Sequence, residues 1–329
     1  MNSSLSSSLN LPSRRDFIKA GFALGAGFSL ADLGGLFAPE AGAAPAKEGK
    51  PLIAAVRDAS RAAMLDKALE LLGGIGAFVK PGQTVVIKPN AAWATSPERG
   101  ANTHPELLKR IIWHCKQAGA KSIKVFERTC DGATIADGGG TLDANGIRAA
   151  VKEAGVELVP GNDRSYYKQV AVKGVKLKEA EVHRLILESD VFINVPVLKH
   201  HQGTTMTAAM KNLMGIIWDR RAWHRLDLHQ CIADFLTAPH CRPTLNITDA
   251  YAPMLRYGPR GHDKSDLIEM RSLLASPDIV AIDAAGAKML GHKEDGIGHV
   301  KIASDAGYGT CRLGTVNIAR YKFPPHKVS

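Results

Sequence analysis

The chain has 329 residues, of which 45% are hydrophobic and 22% charged, and its formal net charge is +10. This is ordinary globular composition, with ample length for a large hydrophobic core. The lysines and arginines are spread along the chain rather than clustered, which argues against a nucleic-acid partner and leaves a basic surface or a local anion pocket as alternatives.

The N-terminal segment has the pattern of an export signal. Residues 13–19 read Ser-Arg-Arg-Asp-Phe-Ile-Lys, a weakly apolar stretch rich in Gly and Ala follows, and small-residue cleavage sequences lie at 41–43 and 44–46. The segment resembles a twin-arginine signal; an uncleaved anchor or a basic tail are the alternatives. Its short apolar core is poor for a span of about 20 residues.

We therefore expect residues 1–46 to be a twin-arginine signal peptide, removed or disordered, and residues 47–329 to form a single domain. The predicted location is the periplasm, and the Tat translocase is the predicted partner during export. No other segment has the length of a membrane helix, so no permanent membrane span is expected.

The five cysteines are too far apart for any C-x-x-C pair, which excludes zinc-ribbon, ferredoxin and thioredoxin patterns. Cys231 and Cys241 could form a disulfide in an oxidising compartment, but the odd number leaves at least one thiol unpaired. Buried, unpaired cysteine is the expected state for most of them. They are Cys115, Cys130, Cys231, Cys241 and Cys311.

From residue 51 onward, strand-like and helical runs alternate. Strands are predicted at 83–88, 122–126, 156–159, 191–198, 243–248 and 270–275. Helices are predicted at 66–72, 105–118, 144–154, 204–217 and 226–236, with another from Ser276-Pro277 to Gly291. This alternation predicts an α/β fold of the doubly wound type, with a mainly parallel sheet and helices on both faces. Residues 170–177 look like an exposed strand or hairpin, so we also expect a small inserted hairpin or lobe near 160–185 or 218–265.

Several predicted strands end in polar residues. Lys88 and Asn90 follow one strand, Lys199 and His200 another, and Asp249 a third. Because ligands sit beyond the carboxyl ends of parallel strands, these side chains could converge on one site. A lysine at a buried strand end needs a partner, so structural salt bridges to Asp249 or Glu127 are the alternative interpretation.

The segment after the 191–198 strand suggests an anion site. On a helix over 204–217, Thr204, Thr207 and Lys211 share one stripe, and Lys211 could reach back toward a ligand at the helix start. With the free N–H groups there, this would suit a phosphate or carboxylate. A solvated surface lysine is the alternative.

Other known patterns give little. His200 and His201 are adjacent and point to opposite faces, and His224 and His229 miss the i,i+4 spacing of a helical metal pair. A mixed metal site of His200 with Asp249 or His224 stays open. Residues 218–225, basic and aromatic, could form a lid or partner surface, or a loop packed on the core.

Six short motifs resemble the bacterial and archaeal family called domain of unknown function 362, over residues 51–292. The most specific part is the pairing of Lys-His at 199–200 with Lys-Asn at 211–212, which lie in the motifs Asp-Val-Phe-Ile-Asn-Val-Pro-Val-Leu-Lys-His at 190–200 and Met-Lys-Asn-Leu-Met-Gly at 210–215. The others are Val-Ile-Lys-Pro-Asn at 86–90, Thr-His-Pro-Glu at 103–106, Thr-Asp-Ala at 248–250 and Ser-Pro-Asp-Ile-Val-Ala-Ile-Asp at 276–283. Many relatives carry iron–sulfur segments, but this chain lacks their cysteine pattern, so an iron–sulfur cluster is not expected. Membership implies no particular reaction.

Our first hypothesis is an exported enzyme acting on a small anionic molecule. The catalytic candidates are His200, which would transfer protons, with Lys199 and Lys211. The ligand-binding candidates are Lys88, Asn90, Thr204, Asn212 and Asp249.

Two other hypotheses involve a metal or cofactor, whose identity the sequence leaves unknown. In one, the chain is a non-catalytic accessory protein that holds a metal ion or cofactor for an exported redox partner protein. In the other, it is a metal-dependent hydrolase that uses His200, Asp249 and Asp283.

Overall fold

The computed structural model describes Leu36 and residues 52–325, so the predicted export signal, apart from Leu36, lies outside the described residues. The strands are β1 (Leu52–Arg57), β2 (Thr84–Pro89), β3 (Ser122–Val125), β4 (Glu157–Leu158), β5 (Tyr167–Ala171), β6 (Glu179–His183), β7 (Val191–Val195), β8 (Val197–His201), β9 (Thr205–Thr207), β10 (Leu245–Met254), β11 (Ser272–Ser276) and β12 (Asn317–Lys322).

The α-helices are α1 (Arg61–Leu71), α2 (Pro105–Gln117), α3 (Thr141–Ala144), α4 (Ile147–Glu153), α5 (Arg184–Glu188), α6 (Ala209–Asn212), α7 (Arg220–Leu226), α8 (Leu228–Asp234), α9 (Ile279–Met289) and α10 (Gly298–Asp305). Helix α2 begins as predicted, with Pro105 at its first position and the His104 side chain capping the N–H of Glu106. None of the helices in the described part of the chain is long and apolar enough to cross a membrane.

One large sheet organises the fold. Its main path runs β12-β1-β11-β10-β7-β2-β3-β4, and β8 and β9 extend it beside β10. Along this path neighbouring strands are parallel except around β11, which is antiparallel to both β1 and β10. The predicted α/β class, with a mainly parallel sheet, is confirmed.

Hydrophobic clusters cover both faces of the sheet, because successive strand side chains point to opposite sides. Val86 and Phe192 pack in one cluster with helices α6, α8 and α9, and we call this side the pocket face. Ile87 and Ile193, one residue on, pack in the other cluster with α1 and α2, and we call this side the far face.

The predicted inserted hairpin is present. Strands β5 and β6 form a separate antiparallel two-stranded sheet, which lies between β4 and β7 in the chain. The predicted strand at 170–177 spans the end of β5 and the connection that follows it.

The predicted helix over 204–217 is wrong. Residues Thr205–Thr207 form β9, which pairs with β8, and only Ala209–Asn212 is α-helical before a 3₁₀ turn at Leu213–Ile216. The β-branched threonines there favour a strand over a helix. The stripe that was to join Thr204 to Lys211 therefore does not exist.

Two strand boundaries also differ from the prediction. The run at 191–198 is two strands, since Pro196 has no N–H for a ladder and separates β7 from β8. The strand at 243–248 does not end at Asp249 but continues to Met254, because its pairing with β11 extends through Ala250. Strands β1 and β12 and helices α5, α7 and α10 were not predicted.

Candidate functional site

A cavity of about 730 Å³ opens at the carboxyl edge of the sheet, on the pocket face. Five of the predicted site residues line it: Lys88, Asn90, Lys199, Lys211 and Asn212. They come from β2, from β8 and from the short helix α6, which the parallel strands bring to one edge. We call this cavity the lysine pocket.

Lys88 is a fully paired lysine at the base of the pocket. It is 1% exposed, and its Nζ donates to Glu127 Oε2 at 2.8 Å, to Asn212 Oδ1 at 2.7 Å and to the Pro89 carbonyl at 2.8 Å. Loss of water lowers the pKa of Lys88, while the carboxylate of Glu127 opposes that shift. Of the two salt-bridge partners considered from the sequence, Glu127 is the observed one.

Lys199 is equally buried but has no carboxylate partner among the described residues. Its Nζ donates to Asn90 Oδ1 at 2.8 Å and to the Ala101 carbonyl. Loss of water, followed by the positive charge of Lys211, lowers the pKa of Lys199 to about 7. Lys199 is therefore poised between its charged and neutral forms near neutral pH.

Lys211 is half-buried in the pocket wall and makes no hydrogen bond or ion pair with any residue that the structure describes. Loss of water, together with the nearby charge of Arg220, lowers its pKa to about 8. Lys211 thus brings a positive charge to the pocket that the protein does not neutralise.

Arg128, in the loop after β3, and Arg220, at the start of α7, complete the positive wall. Arg128 lies over the Trp218 ring, 4.5 Å from its centroid, and its buried Nε has no hydrogen-bond partner within residues 52–325. Arg220 donates to the carbonyls of Thr129 at 2.8 Å and Arg128 at 3.1 Å, which fixes the loop after β3. The basic, aromatic segment at 218–225 is therefore part of the pocket wall.

The two amides of the pocket orient lysines rather than a ligand. Asn212 Oδ1 accepts from Lys88 and from Asn90 Nδ2, and Asn90 Oδ1 accepts from Lys199. Asn212 Nδ2 donates in turn to Asn194 Oδ1 at 2.9 Å. These bonds hold Lys88 and Lys199 in place.

Gly215 explains the end of the Lys-Asn-Leu-Met-Gly motif. A Cβ atom at this position would collide with Glu127 Oε1 and with Lys88 Nζ. Only glycine lets the turn after α6 lie directly on the buried ion pair.

Three predicted site residues lie elsewhere. Asp249 accepts from Arg61 Nε at 2.9 Å on the far face, because it shares the strand phase of Ile247. The buried Thr204 hydroxyl donates to the Met206 carbonyl in the β8–β9 turn. His200 Nδ1 accepts from the backbone N–H of Gly258 at 3.1 Å and does not line the pocket.

His201, not His200, is the histidine of β8 that lines the pocket, together with His224 of α7. His200 and His201 do alternate, as adjacent strand residues must, but the alternation has the phase opposite to the one assumed. Burial and the charge of Lys211 lower the pKa of His201 to about 2, so its ring is neutral at physiological pH. It is a hydrogen-bonding group there, rather than an acid.

Asn194, Asn246, Arg128 and Arg220 were not among the predicted site residues. The two asparagines had a visible signal, since each interrupts an otherwise apolar strand, Val-Phe-Ile-Asn-Val and Leu-Asn-Ile. Arg220 lies in the basic, aromatic segment at 218–225 that stands out in the sequence, but only the fold brings it and Arg128 to the pocket.

The described residues do not fit a metal or an iron–sulfur cluster. Across residues 52–325, no three His, Cys, Asp or Glu side chains come close enough together to hold an ion. His200, Asp249 and Asp283 therefore form no common site, and Asp283 instead accepts the backbone N–H groups of Ala209 and Met210 at 2.6 and 2.9 Å. Cys231 and Cys241 are free thiols.

The chain is similar in sequence to one relative of similar length, and its fold has a weak likeness to two solved structures. A thylakoid-associated protein of Synechocystis sp. is 30% identical over 227 residues, which is 67% of each chain. The lactate racemase apoprotein from Thermoanaerobacterium thermosaccharolyticum is 14% identical, with a TM-score of 0.43 over 66% of this chain and 53% of its own. A protein from Thermotoga maritima is 10% identical, with a TM-score of 0.42 over 74% and 59% of the two chains.

This chain thus spans a little over half the length of either solved structure, and neither likeness bears on activity. The family comparison is more specific. The model for the family described as domain of unknown function (DUF362) matches residues 85–288, more than half of the chain and every residue of the lysine pocket named above. The chain belongs to this family.

Proposed function

We propose that the protein is an exported enzyme that binds a small organic anion, bearing a phosphate or carboxylate group, in the lysine pocket. The observation that carries this proposal is the uncompensated charge of Lys211 and Arg128, which face the pocket without an ion pair to any described residue. A partly desolvated cation of this kind is stabilised by an anion that hydrogen-bonds to it.

The size and lining of the pocket favour an organic anion over an inorganic ion. A volume of about 730 Å³ is within the range of about 300–1,000 Å³ that small-molecule sites occupy. Trp93, Met214 and Trp218 add apolar surface to the wall. A lone phosphate would leave most of this space and surface without contacts.

Lys199 is the proposed proton carrier. A catalytic acid or base works best when its pKa lies near the working pH, and Lys199, with a pKa of about 7, meets that condition. Lys211, with a pKa of about 8, would stay mostly charged and hold the anion. This assignment replaces His200, which does not reach the pocket.

Calorimetric titration of the purified full chain tests the proposal, with inorganic phosphate, pyrophosphate and citrate as probes. We expect at least one probe to bind, and Lys211→Met to weaken it tenfold or more. Lys288→Met is the matched control, because Lys288 is also half-buried but lines a different cavity. Absence of binding by all three probes, or equal weakening by both variants, would contradict the proposal.

Export by the twin-arginine route is part of the proposal and has its own test. In a bacterium with a Tat translocase, cell fractionation should find the wild-type protein in the periplasm. Replacing both Arg14 and Arg15 by Lys should leave it in the cytoplasm. A periplasmic double variant would exclude this route.

A further inference from the structure

A row of polar side chains crosses the interior of the sheet below the lysine pocket. The strand register sets Lys88 of β2 opposite Asn194 of β7, Asn194 opposite Asn246 of β10, and Asn246 opposite Ser276 of β11. Asn194 and Asn246 are fully buried, and neither lines the pocket. Buried amides in apolar strands are costly unless their hydrogen bonds are made.

These bonds are made, and all run in one direction. Asn246 Nδ2 donates to the Ser276 carbonyl at 3.3 Å, and Asn194 Nδ2 donates to Asn246 Oδ1 at 2.9 Å. Asn194 Nδ2 also donates to the Ala209 carbonyl at 3.0 Å, and Asn212 Nδ2 donates to Asn194 Oδ1. Each amide therefore turns its NH₂ group inward and its oxygen toward the pocket.

Groups at both ends of the chain impose this orientation. The carbonyls of Ser276 and Ala209 can only accept, so Asn246 and Asn194 must present NH₂ groups to them. At the other end the ammonium of Lys88 can only donate, so Asn212 must present its oxygen. If the oxygen and NH₂ group of any one amide were exchanged, two NH₂ groups or two oxygens would face each other and a hydrogen bond would be lost.

The chain continues through Asn90 to Lys199. Asn212 Oδ1 accepts from Asn90 Nδ2 at 2.8 Å, and Asn90 Oδ1 accepts from Lys199 Nζ at 2.8 Å. Hydrogen bonds aligned in this way polarise one another in a low-dielectric interior. The acceptor that faces Lys199 is thus made more negative by bonds that begin at Ser276.

We propose that Asn194 and Asn246 are positioning residues that favour the charged form of Lys199 over its neutral form, by fixing the direction of this amide chain. The functional value of that charge rests on the proposed anion binding. The physical effect itself does not, because a hydrogen bond to the charged form of a lysine favours that form whether or not a ligand is present.

Other charged groups also act on Lys199 from the elements around it. Lys211 and Lys88 disfavour its charge, whereas Glu127 and the Cys130 thiol favour it. Substitution of Asn194 changes none of these groups. A change in the titration of Lys199 in such a variant would therefore report the amide chain.

The test is an NMR titration of the full chain labelled at lysine side chains, with the Lys199 signal assigned by its loss in Lys199→Met. In Asn194→Leu we expect the pKa of Lys199 to fall by one or more relative to the wild type. Asn194→Ser, whose hydroxyl can accept from Asn212 while donating to the Ala209 carbonyl, should restore at least half of the difference.

Asn246→Leu, one bond further from the pocket, should lower the pKa of Lys199 by less and gives a second variant should Asn194→Leu not fold. Asn162→Leu is the control, because Asn162 is also buried but bonds to the Thr129 hydroxyl, outside the amide chain. An unchanged pKa of Lys199 in the folded Asn194 and Asn246 variants, or an equal fall in Asn162→Leu, would overturn the inference.

The titration needs no ligand, so it separates this inference from the proposed function. A lower pKa of Lys199 in Asn194→Leu, with no probe bound by the wild type, would support the amide chain and contradict anion binding. Conversely, the wild type could bind a probe that Lys211→Met does not bind, while the pKa of Lys199 is the same in the wild type and in Asn194→Leu. That result would support anion binding and contradict the role of the amide chain.

Discussion

Two groups of charged residues lie on opposite faces of the sheet, and they are balanced differently. On the far face, Arg61 pairs with Asp249 at 2.9 Å and Arg110 pairs with Asp66 at 2.7 Å. On the pocket face, Lys88, Lys199 and Lys211 have a single carboxylate within hydrogen-bond distance among the described residues, that of Glu127. Burial alone therefore does not mark the candidate site; the excess of positive charge does.

The largest expected effect comes from removing that one carboxylate. In Glu127→Gln, Lys88 would remain buried without a counter-charge, which typically costs about 3–5 kcal/mol of unfolding free energy. Urea unfolding at pH 7 measures it. Glu188→Gln is the control, since Glu188 pairs with Lys168 on the exposed surface, where a salt bridge is worth about 1 kcal/mol or less. Equal losses of unfolding free energy in the two variants would show that the buried ion pair contributes no more to stability than the exposed one.

Removing the unpaired cation Lys211 should lower anion affinity without lowering the stability of the protein. Lys211→Met should weaken the anion that binds best by about 1.5–3 kcal/mol, which is roughly tenfold to a hundredfold. Stability of the ligand-free protein should stay the same or rise, because no ion pair is lost and a desolvated charge is removed. Calorimetry and urea unfolding of the same samples give both values. A stability loss as large as that of Glu127→Gln would mean that Lys211 has a structural role.

A substitution on the far face should change the stability of the protein but not its anion affinity. Asp249→Asn leaves Arg61 without its carboxylate and should lower the unfolding free energy by about 1–3 kcal/mol. Anion affinity, measured by the same calorimetry, should not change, because Asp249 does not line the pocket. A tenfold loss of affinity would show that the two faces are coupled through the sheet.

The structure brings the three predicted lysines together, but it places elsewhere two predicted residues whose position depends on strand phase. Lys88, Lys199 and Lys211 line one pocket because β2, β8 and α6 bring them to the carboxyl edge of the sheet. Asp249 and His200 were misplaced because a shift of one residue moves a strand side chain to the other face, and residue type does not reveal that phase.

The fold shows the same division. Long periodic elements such as α2, and the alternation that predicts a mainly parallel sheet, could be predicted from the sequence. The β8–β9 hairpin could not, because the short segment at 205–212 can form either strand or helix until its pairing with β8 decides between them. The register that sets Asn194 beside Asn246 depends on pairing between distant strands, so no local pattern reveals it.

The smallest expected effect is on pH dependence: anion affinity and the free energy of unfolding should change in opposite directions as pH rises. As pH rises from 6 to 9, anion affinity should fall, because Lys199, with a pKa of about 7, and then Lys211, with a pKa of about 8, lose their charge. Calorimetry at constant ionic strength measures this fall, with a carboxylate probe that stays fully ionised from pH 6 to 9. Lys199→Met should remove the part of it that lies near pH 7.

Stability should change in the opposite direction over the same pH range. The pKa of Lys199 is about 7 in the folded protein and has the ordinary value of 10.5 when unfolded, so between these values the unfolded chain binds more protons. Unfolding free energy then rises with pH, by about 1 kcal/mol from pH 7 to 8 for this one group. The wild type should therefore gain that amount relative to Lys199→Met in urea unfolding over this interval. No difference in slope between the two proteins would mean that Lys199 keeps its proton over this range, and the pH dependence of anion binding would then have to come from Lys211.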